Sequence, residues 1–342
     1  MPDQYRLLRR TTLKDIAEST GFSVNTVSHA LKDKDDISEP TRLLIRRRAE
    51  EMGYVADMVA GSMRSGTTRT IALILGDVAN PHFGLWAREI EGTAFRSGYS
   101  TIVIDTDEDE ALERDAIRTA VGKRVDGIVI CPTQRSRGGL EALRASGVPF
   151  VLVGRRWEDP ELDYVVLDDT RGGLLATRHL LERGHRRILF LSGPDHISSA
   201  RERLAGYRGA LREAGLEEDP ALVRTVGVMS GGCGRVLRRA VEEGVAFTAV
   251  VAFSDIVALE ALRELARAGG GAQVPVVGFD DIASGLPLPF ATDSVASAQG
   301  SPAELAARTL LERIGQIRGG VWDPAPKQTV LPVRLFHREM PA

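Results

Sequence analysis

Between residues 23 and 29 the chain carries side chains able to read a DNA base edge, at the spacing of one helical face. Ser23 is of the type that caps a helix, and Val24, Asn25 and His29 then fall on the outward side of the capped segment. Asn pairs bidentately with adenine, Val packs on a thymine methyl, and His donates to or accepts from a base edge. Thr26 and Ser28 offer short hydroxyls suited to phosphate oxygens. On spacing alone, a three-helix interaction module with Asn25 and Ser28 merely solvated also satisfies the pattern. Catalytic chemistry is harder to find. Gly231-Gly-Cys-Gly234 has the composition of a glycine-rich phosphate loop, but no strand-then-GxGxxG context accompanies it, and the run is better placed to open a helix. No clustered His and acidic residues suggest a metal, and no Ser–His–Asp arrangement is legible. Neither an enzyme nor a cofactor is expected. Cys131 and Cys233 give no metal spacing and no disulfide framework, and are expected as small fillers.

These reading residues need a scaffold, and the flanking sequence supplies one. Thr12 can cap a helix from Leu13 to about Ser19 with Leu13, Ile16 and Ala17 on one face. Gly21 then provides the positive φ of a tight turn. The helix begun at Ser23 runs through Leu31, with Val27, Ala30 and Leu31 inward. Ser38 caps a third helix, with Pro40 in its first turn and Leu43, Leu44 and Met52 expected on its apolar side, and Gly53 ends it. A helix, a sharp turn and a second capped helix make the helix-turn-helix plan, whose second helix enters the major groove. Thr12 and Ser23 are counted with the DNA-facing residues.

From Thr70 the rhythm changes to short apolar runs alternating with amphipathic stretches, beginning Ile71–Leu75 then Leu85–Ser97 and ending Ile256–Ala268 then Val274–Phe279. This alternation predicts parallel sheets with helices on both faces, and the strands are too many for one small sheet, so two lobes are expected. The 342 residues, 43% hydrophobic and 27% charged, suffice for a substantial core. Apolar runs such as Val148–Val153 are too short to span a bilayer. Arg6, Arg9 and Arg10 precede Thr11, Thr12, Lys14 and Asp15 rather than the apolar stretch of a signal peptide, so a cytoplasmic protein without membrane partners is expected. Net charge is −3, and residues 1–66 hold eleven Lys/Arg against ten Asp/Glu, so bulk electrostatics leaves DNA binding undecided.

The wording of the sequence decides it. Thr12-Leu-Lys-Asp-Ile-Ala-Glu18 and Gly21-Phe-Ser-Val-Asn-Thr-Val-Ser-His-Ala-Leu31 closely resemble the head of the lactose/galactose repressor (LacI/GalR-type) family, as do Ser38-Glu-Pro-Thr-Arg42 and Glu51-Met-Gly-Tyr54. Further along, Asn80-Pro-His-Phe83, His179-Leu-Leu-Glu-Arg-Gly-His-Arg-Arg187, Ser192-Gly-Pro194, Arg201-Glu-Arg-Leu-Ala-Gly206 and Val277-Gly-Phe-Asp-Asp281 continue the likeness in order. The resemblance implies a homodimer on a pseudo-palindromic double-stranded operator, with Val24, Asn25 and His29 reading bases. It also implies a ligand cleft between two lobes like those of periplasmic sugar-binding proteins.

On the same resemblance, the chain divides into a helix-turn-helix head (1–55), a hinge (56–69) and a two-lobed α/β body (70–342). The first lobe would hold residues 70–163 and a returning segment near 293–320; the second would hold 164–292 and a final strand, Thr329–Phe336. With Ala342 shortly after the final strand, no tetramerising coil is expected, and a dimer is. The family's hinge places a leucine wedge in the minor groove, here Met63, and departs from its usual residues at Ala56 and Gly61. In the cleft, Phe83 would stack on the ligand while Arg203 and Asp280 grip its polar groups. The usual Asn after Phe253 is Ser254, and the usual acidic residue after Val153 is Gly154 followed by Arg155. His82 is a further polar candidate. These features imply a sugar-like effector, with a phosphorylated sugar the nearest rival because Arg155, Arg156 and Arg201 lie near the matched segments. An architectural DNA binder would keep the head but need no cleft.

Overall fold

A computed structural model describes residues 11–55, 66–229, 231–267, 274–286, 292–321 and 323–337. It divides into two compact units, Met1–Gly66 and Thr67–Ala342. Ala56, Gly61 and Met63, on which the hinge expectations rest, lie outside the described residues, as do Arg6, Arg9 and Arg10.

The first unit contains α1 (Leu13–Thr20), α2 (Val24–Leu31) and α3 (Glu39–Glu51). Thr12 and Asp15 close a capping box at the start of α1: the Thr12 hydroxyl accepts from the Asp15 amide at 3.3 Å, and Asp15 accepts from the Thr12 amide at 2.8 Å. Gly21 ends α1 with φ 74°, the left-handed cap that glycine adopts without strain. Ile16, Ala17, Val27, Ala30, Ile45 and Ala49 form the core of the three helices. Leu43 and Leu44 do not join it, being 58% and 53% exposed. The buried stripe of α3 instead runs through Ile45 and Ala49 to half-buried Met52, the i, i+4, i+7 repeat that one helical face requires.

The second unit opens on Thr67, whose hydroxyl donates to Asp126; the same carboxylate accepts from the amides of Thr68 at 3.0 Å and Arg69 at 3.1 Å. These residues are thus part of the body rather than of the linker. The first lobe carries β1 (Thr70–Leu75), α4 (Pro81–Arg96), β2 (Ser100–Asp105), α5 (Glu110–Gly122), β3 (Gly127–Ile130), α6 (Gly138–Ser146), β4 (Phe150–Val153) and β5 (Tyr164–Leu167). The second carries α7 (Asp169–Glu182), β6 (Ile188–Ser192), α8 (Ser198–Glu213), β7 (Val223–Thr225), α9 (Cys233–Glu242), β8 (Ala249–Ala252), α10 (Asp255–Arg267), β9 (Val276–Phe279) and β10 (Asp293–Ser297). The chain closes with α11 (Pro302–Gly319), β11 (Gln328–Leu331) and β12 (Val333–Phe336). Among the described residues the strand orders are β11-β5-β4-β3-β1-β2 and β12-β10-β9-β8-β6-β7. Pairing is parallel except between β10 and β12. β1 and β3 bury both faces, so they are near-continuous apolar runs rather than alternating ones.

The lobe boundaries differ from expectation at three places. β5 pairs with β4 at Val153–Val165 and stays in the first lobe. The segment at Asp293–Ser297 pairs with β9 in the second lobe, and only α11 returns to the first, packing Ala303, Ala306, Ala307 and Leu310 into its core. The expected final strand is two strands. Pro332, which has no amide hydrogen to donate to a ladder, separates β11 in the first sheet from β12 in the second. Among the described residues the chain therefore crosses between lobes three times, after β5, after β10 and at Pro332. The crossings are bonded to one another: the Asp168 amide donates to the Leu331 carbonyl at 2.9 Å and the Ala298 amide to the Pro332 carbonyl at 2.8 Å.

Candidate functional site

In the head, α2 is capped by Ser23, whose hydroxyl accepts from the Thr26 amide at 3.0 Å and lies 2.8 Å from the Thr26 hydroxyl. The Thr12, Ser23 and Thr26 side chains are thus engaged in holding the helices. Val24 and Asn25 are exposed on the first turn of α2, while Ser28 and His29 are half-buried one turn on. The His29 ring is fixed by its Nδ1, 2.5 Å from an Asp36 carboxylate oxygen. That contact leaves Nε2 as the nitrogen free to meet a base. Asp36 lies in the loop after α2, and nothing in the local sequence reveals its contact seven residues back. Asp33 in the same loop pairs with Arg42 and Arg46 of α3, so part of the loop's negative charge is neutralised.

In the body, His82, Phe83, Arg203, Ser254 and Asp280 line one cleft between the lobes, together with Trp86, Glu108, Cys131, Gly154, Arg155, Asp169 and Phe253. The cleft has about 600 Å³ of empty space, a figure that includes its open mouth. Asn80 starts α4 by accepting from the His82 amide at 3.1 Å, with Pro81 in the first helical position. This aims His82, Phe83 and Trp86 into the cleft from one helical turn. Their rings interlock: Phe83 and Trp86 meet edge to face at 5.7 Å, and His82 lies 4.3 Å from Trp86. Burial, opposed by Asp280, lowers the His82 pKa below its ordinary value. Trp86 was missed in the sequence although it stands three residues after Phe83, on the same helical face. Its ring also explains Gly154. A Cβ at Gly154, where φ is 72°, would overlap the Trp86 ring, so the wall here is aromatic where the family's usual residue is acidic.

Arg203 reaches the cleft because α7 and α8 cross at glycine contact. A Cβ on Gly173 would overlap the Arg203 carbonyl, and one on Gly206 would overlap the Thr170 carbonyl. Its guanidinium donates from Nε to Asp169 at 2.7 Å and from a terminal nitrogen to the Phe253 carbonyl, and it lies 4.2 Å from the centre of the Phe279 ring. Asp280 follows β9 with φ 99°, and Asp281 with φ 50°. Two successive non-glycine residues in this region are held only because their surroundings fix them. The buried Asp255 carboxylate does so, accepting from the Ile282 amide at 3.0 Å and the Ser294 hydroxyl at 2.8 Å, while Ser294 accepts from the Asp281 amide at 3.0 Å. Burial, reinforced by Asp280, pushes the Asp255 carboxyl well above its ordinary range. Among the described residues no donor hydrogen-bonds the Asp280 carboxylate; His82 stands 3.9 Å away and Arg203 4.0 Å. Ser254 accepts from the Val257 amide at 3.4 Å at the start of α10.

The arginines that could have held a phosphate are already engaged. Arg155 is buried and bidentate to Glu108, at 2.7 and 2.8 Å, and donates also to the Pro132 carbonyl. Arg156 pairs with Glu202 across the lobes at 3.0 Å, and burial, opposed by Arg156, pushes that carboxyl up to about 7. Arg201 donates to the Asp195 and His196 carbonyls. A second cross-lobe contact runs from the Ser198 amide to Gln134 at 2.9 Å. The glycine-rich run is occupied as well: Glu260 accepts from the Gly231 and Cys233 amides, and α9 opens at Cys233. Both cysteines are buried, and burial raises the Cys131 thiol to about 12.

Two family models match this chain, one over the head and one over the body. Residues 12–57 match the family described as bacterial regulatory proteins, lacI family, and residues 68–334 match periplasmic binding proteins and sugar binding domain of LacI family. The chain is 32% identical to the HTH-type transcriptional regulator GalR of Escherichia coli (strain K12) over 273 residues, 79% of this chain and 80% of that one. It is 31% identical to the HTH-type transcriptional regulator DegA of Bacillus subtilis (strain 168) over 283 residues, 80% of this chain and 82% of that one. A solved complex of the transcriptional regulator CelR with cellobiose superposes with a TM-score of 0.69 at 29% identity, covering 97% of this chain and 100% of the other.

Proposed function

Because the chain belongs to the LacI family of bacterial regulatory proteins, we propose that it controls transcription as a cytoplasmic homodimer whose hold on a pseudo-palindromic operator is set by a small neutral polyol, a sugar or sugar derivative. It is a helix-turn-helix regulator with a ligand-responsive body, and binding rather than catalysis is its chemistry. Val24, Asn25 and His29 read bases, and Thr12, Ser23, Thr26 and Ser28 lie where their backbone and hydroxyl groups approach phosphates.

The observation that carries the effector class is the charge state of the cleft. Arg155, Arg156 and Arg201 are already bonded to carboxylates or carbonyls, and Arg203 is paired with Asp169, whereas the Asp280 carboxylate has no hydrogen-bond donor among the described residues. A dianionic phosphate would meet that carboxylate without a spare cation, and an uncompensated buried charge is expensive. A sugar supplies hydroxyl donors to Asp280 and a C–H face to Phe83 and Trp86. The cellobiose bound by CelR is a molecule of this chemistry.

A thermal-shift screen of the full chain against neutral sugars, sugar phosphates and nucleosides, followed by calorimetry on the best binder, tests this. A neutral sugar should raise the melting temperature, and Asp280→Asn, which keeps a residue tolerant of positive φ, should weaken its binding at least about tenfold, equal to about 1.4 kcal/mol. Tighter binding by a sugar phosphate than by its parent sugar would overturn the neutral assignment.

A further inference from the structure

Away from the cleft, three side chains with metal-binding atoms converge on the second lobe. His179 lies in the middle of α7, Asp293 is the first residue of β10, and His337 follows β12 directly. One Asp293 oxygen is 2.9 Å from His179 Nε2 and 3.4 Å from His337 Nδ1. The three donor atoms all lie within 4.8 Å of one another, and the two rings are 4.8 Å apart between centroids. His179 and Asp293 have side chains 11% and 12% exposed, while that of His337 is 60% exposed, so the group has a walled side and an open one.

We propose that His179, Asp293 and His337 form a binding site for a first-row divalent transition-metal ion of the zinc type. Two imidazoles and one carboxylate are an N₂O set that suits Zn²⁺, Ni²⁺ or Cu²⁺, whereas Mg²⁺ and Ca²⁺ prefer all-oxygen surroundings. Tetrahedral zinc with bonds of roughly 2.0–2.1 Å needs its donors about 3.4 Å apart. The His337–Asp293 separation of 3.4 Å matches that value, the 2.9 Å hydrogen bond between His179 and Asp293 must lengthen to admit the ion, and rotation of the exposed His337 brings the third pair of donors into range. The open side leaves a coordination position for water. Arg183 stands 3.6 Å from Asp293, but its side chain is 53% exposed and can turn outward to make way for a second cation. The ligands are 114 and 44 residues from Asp293 in the chain. The ion therefore ties α7, β10 and the end of β12 together, just past the interlobe crossing at Pro332.

Calorimetric titration of tag-free, full-length protein with Zn²⁺, and with Mg²⁺ for contrast, tests the site. One Zn²⁺ should bind per chain, with a melting temperature raised by a few degrees, and Mg²⁺ should do neither. His337→Ala should weaken zinc binding at least about tenfold while leaving the metal-free melting temperature unchanged, since the side chain is mostly exposed; Asp293→Asn should weaken it too. Absence of zinc binding by the wild type at micromolar concentrations, or unchanged zinc affinity in His337→Ala, would overturn the proposal.

Discussion

On the proposed reading, operator recognition rests on single atoms. With His29 Nδ1 held by Asp36, Nε2 is the ring nitrogen left to meet a base, so Asp36 would position that contact without making one. Asn25→Ala should cost about 1–3 kcal/mol on the cognate site and relax one base position, as loss of a bidentate contact does. Asp36→Ala should relax the position read by His29, and its effect should largely vanish in a His29→Ala background; operator titrations of the two single variants and the double variant at fixed salt measure this coupling. Fully additive losses would mean that Asp36 acts elsewhere. His82 makes a separate prediction through pH. Its folded pKa lies below the ordinary value of 6.5, so the folded state resists the proton that the unfolded chain accepts. The stability this contributes is present above about 6.5 and is lost as pH falls from there toward the folded value. The melting temperature of the wild type should therefore drop more between about pH 7.5 and about pH 5.5 than that of His82→Gln. An equal drop in both proteins would show that His82 takes no part.

Secondary-structure elements explain how distant residues become one cleft. The crossing of α7 and α8 depends on Gly173 and Gly206, where side chains would overlap facing carbonyls. Gly206→Ala must push the helices apart and carry Arg203 away from Asp169. We expect about 1–3 kcal/mol of destabilisation, the usual result of overpacking, and weakened sugar binding with operator affinity in the absence of sugar retained. Denaturant melts and calorimetry check both, and unchanged sugar affinity would show that α8 need not be held so closely. This scale also shows what the sequence makes legible. Periodicity placed α1 to α3 and most strands and helices from β1 to β9 to within a few residues, because those signals are local, but it gave neither β10 nor α11. It assigned Leu43 and Leu44 to a buried face, since hydrophobicity alone does not fix helical phase. β7 is only three residues long and gives no pattern. Trp86 was within reach from its spacing to Phe83. Asp169, Asp255 and Asp36 were not, because each acquires its partner through the fold.

At the scale of the molecule, the resemblance marked Phe83, Arg203 and Asp280, and all three line the cleft, but it misassigned β5, β10 and the final strand among the lobes. The break at Pro332 is a single residue between two short apolar runs, and only pairing with different sheets distinguishes them. The resulting three crossings are bonded through Asp168–Leu331 and Ala298–Pro332, while Gln134–Ser198 and Arg156–Glu202 bridge the lobes elsewhere. On the proposed reading, a ligand gripped by Phe83 and Trp86 of one lobe and by Arg203 and Asp280 of the other would favour one degree of closure. That preference is the free energy available to alter operator affinity, typically about 1–3 kcal/mol. The most direct test is an operator titration of the full chain at fixed salt, on a site obtained by binding selection, with and without a saturating neutral sugar from the thermal screen. The account predicts a change in operator affinity of roughly 5- to 150-fold, abolished by Asp280→Asn at the same sugar concentration. Operator affinity indifferent to every sugar that binds, or a full response in Asp280→Asn, would contradict it.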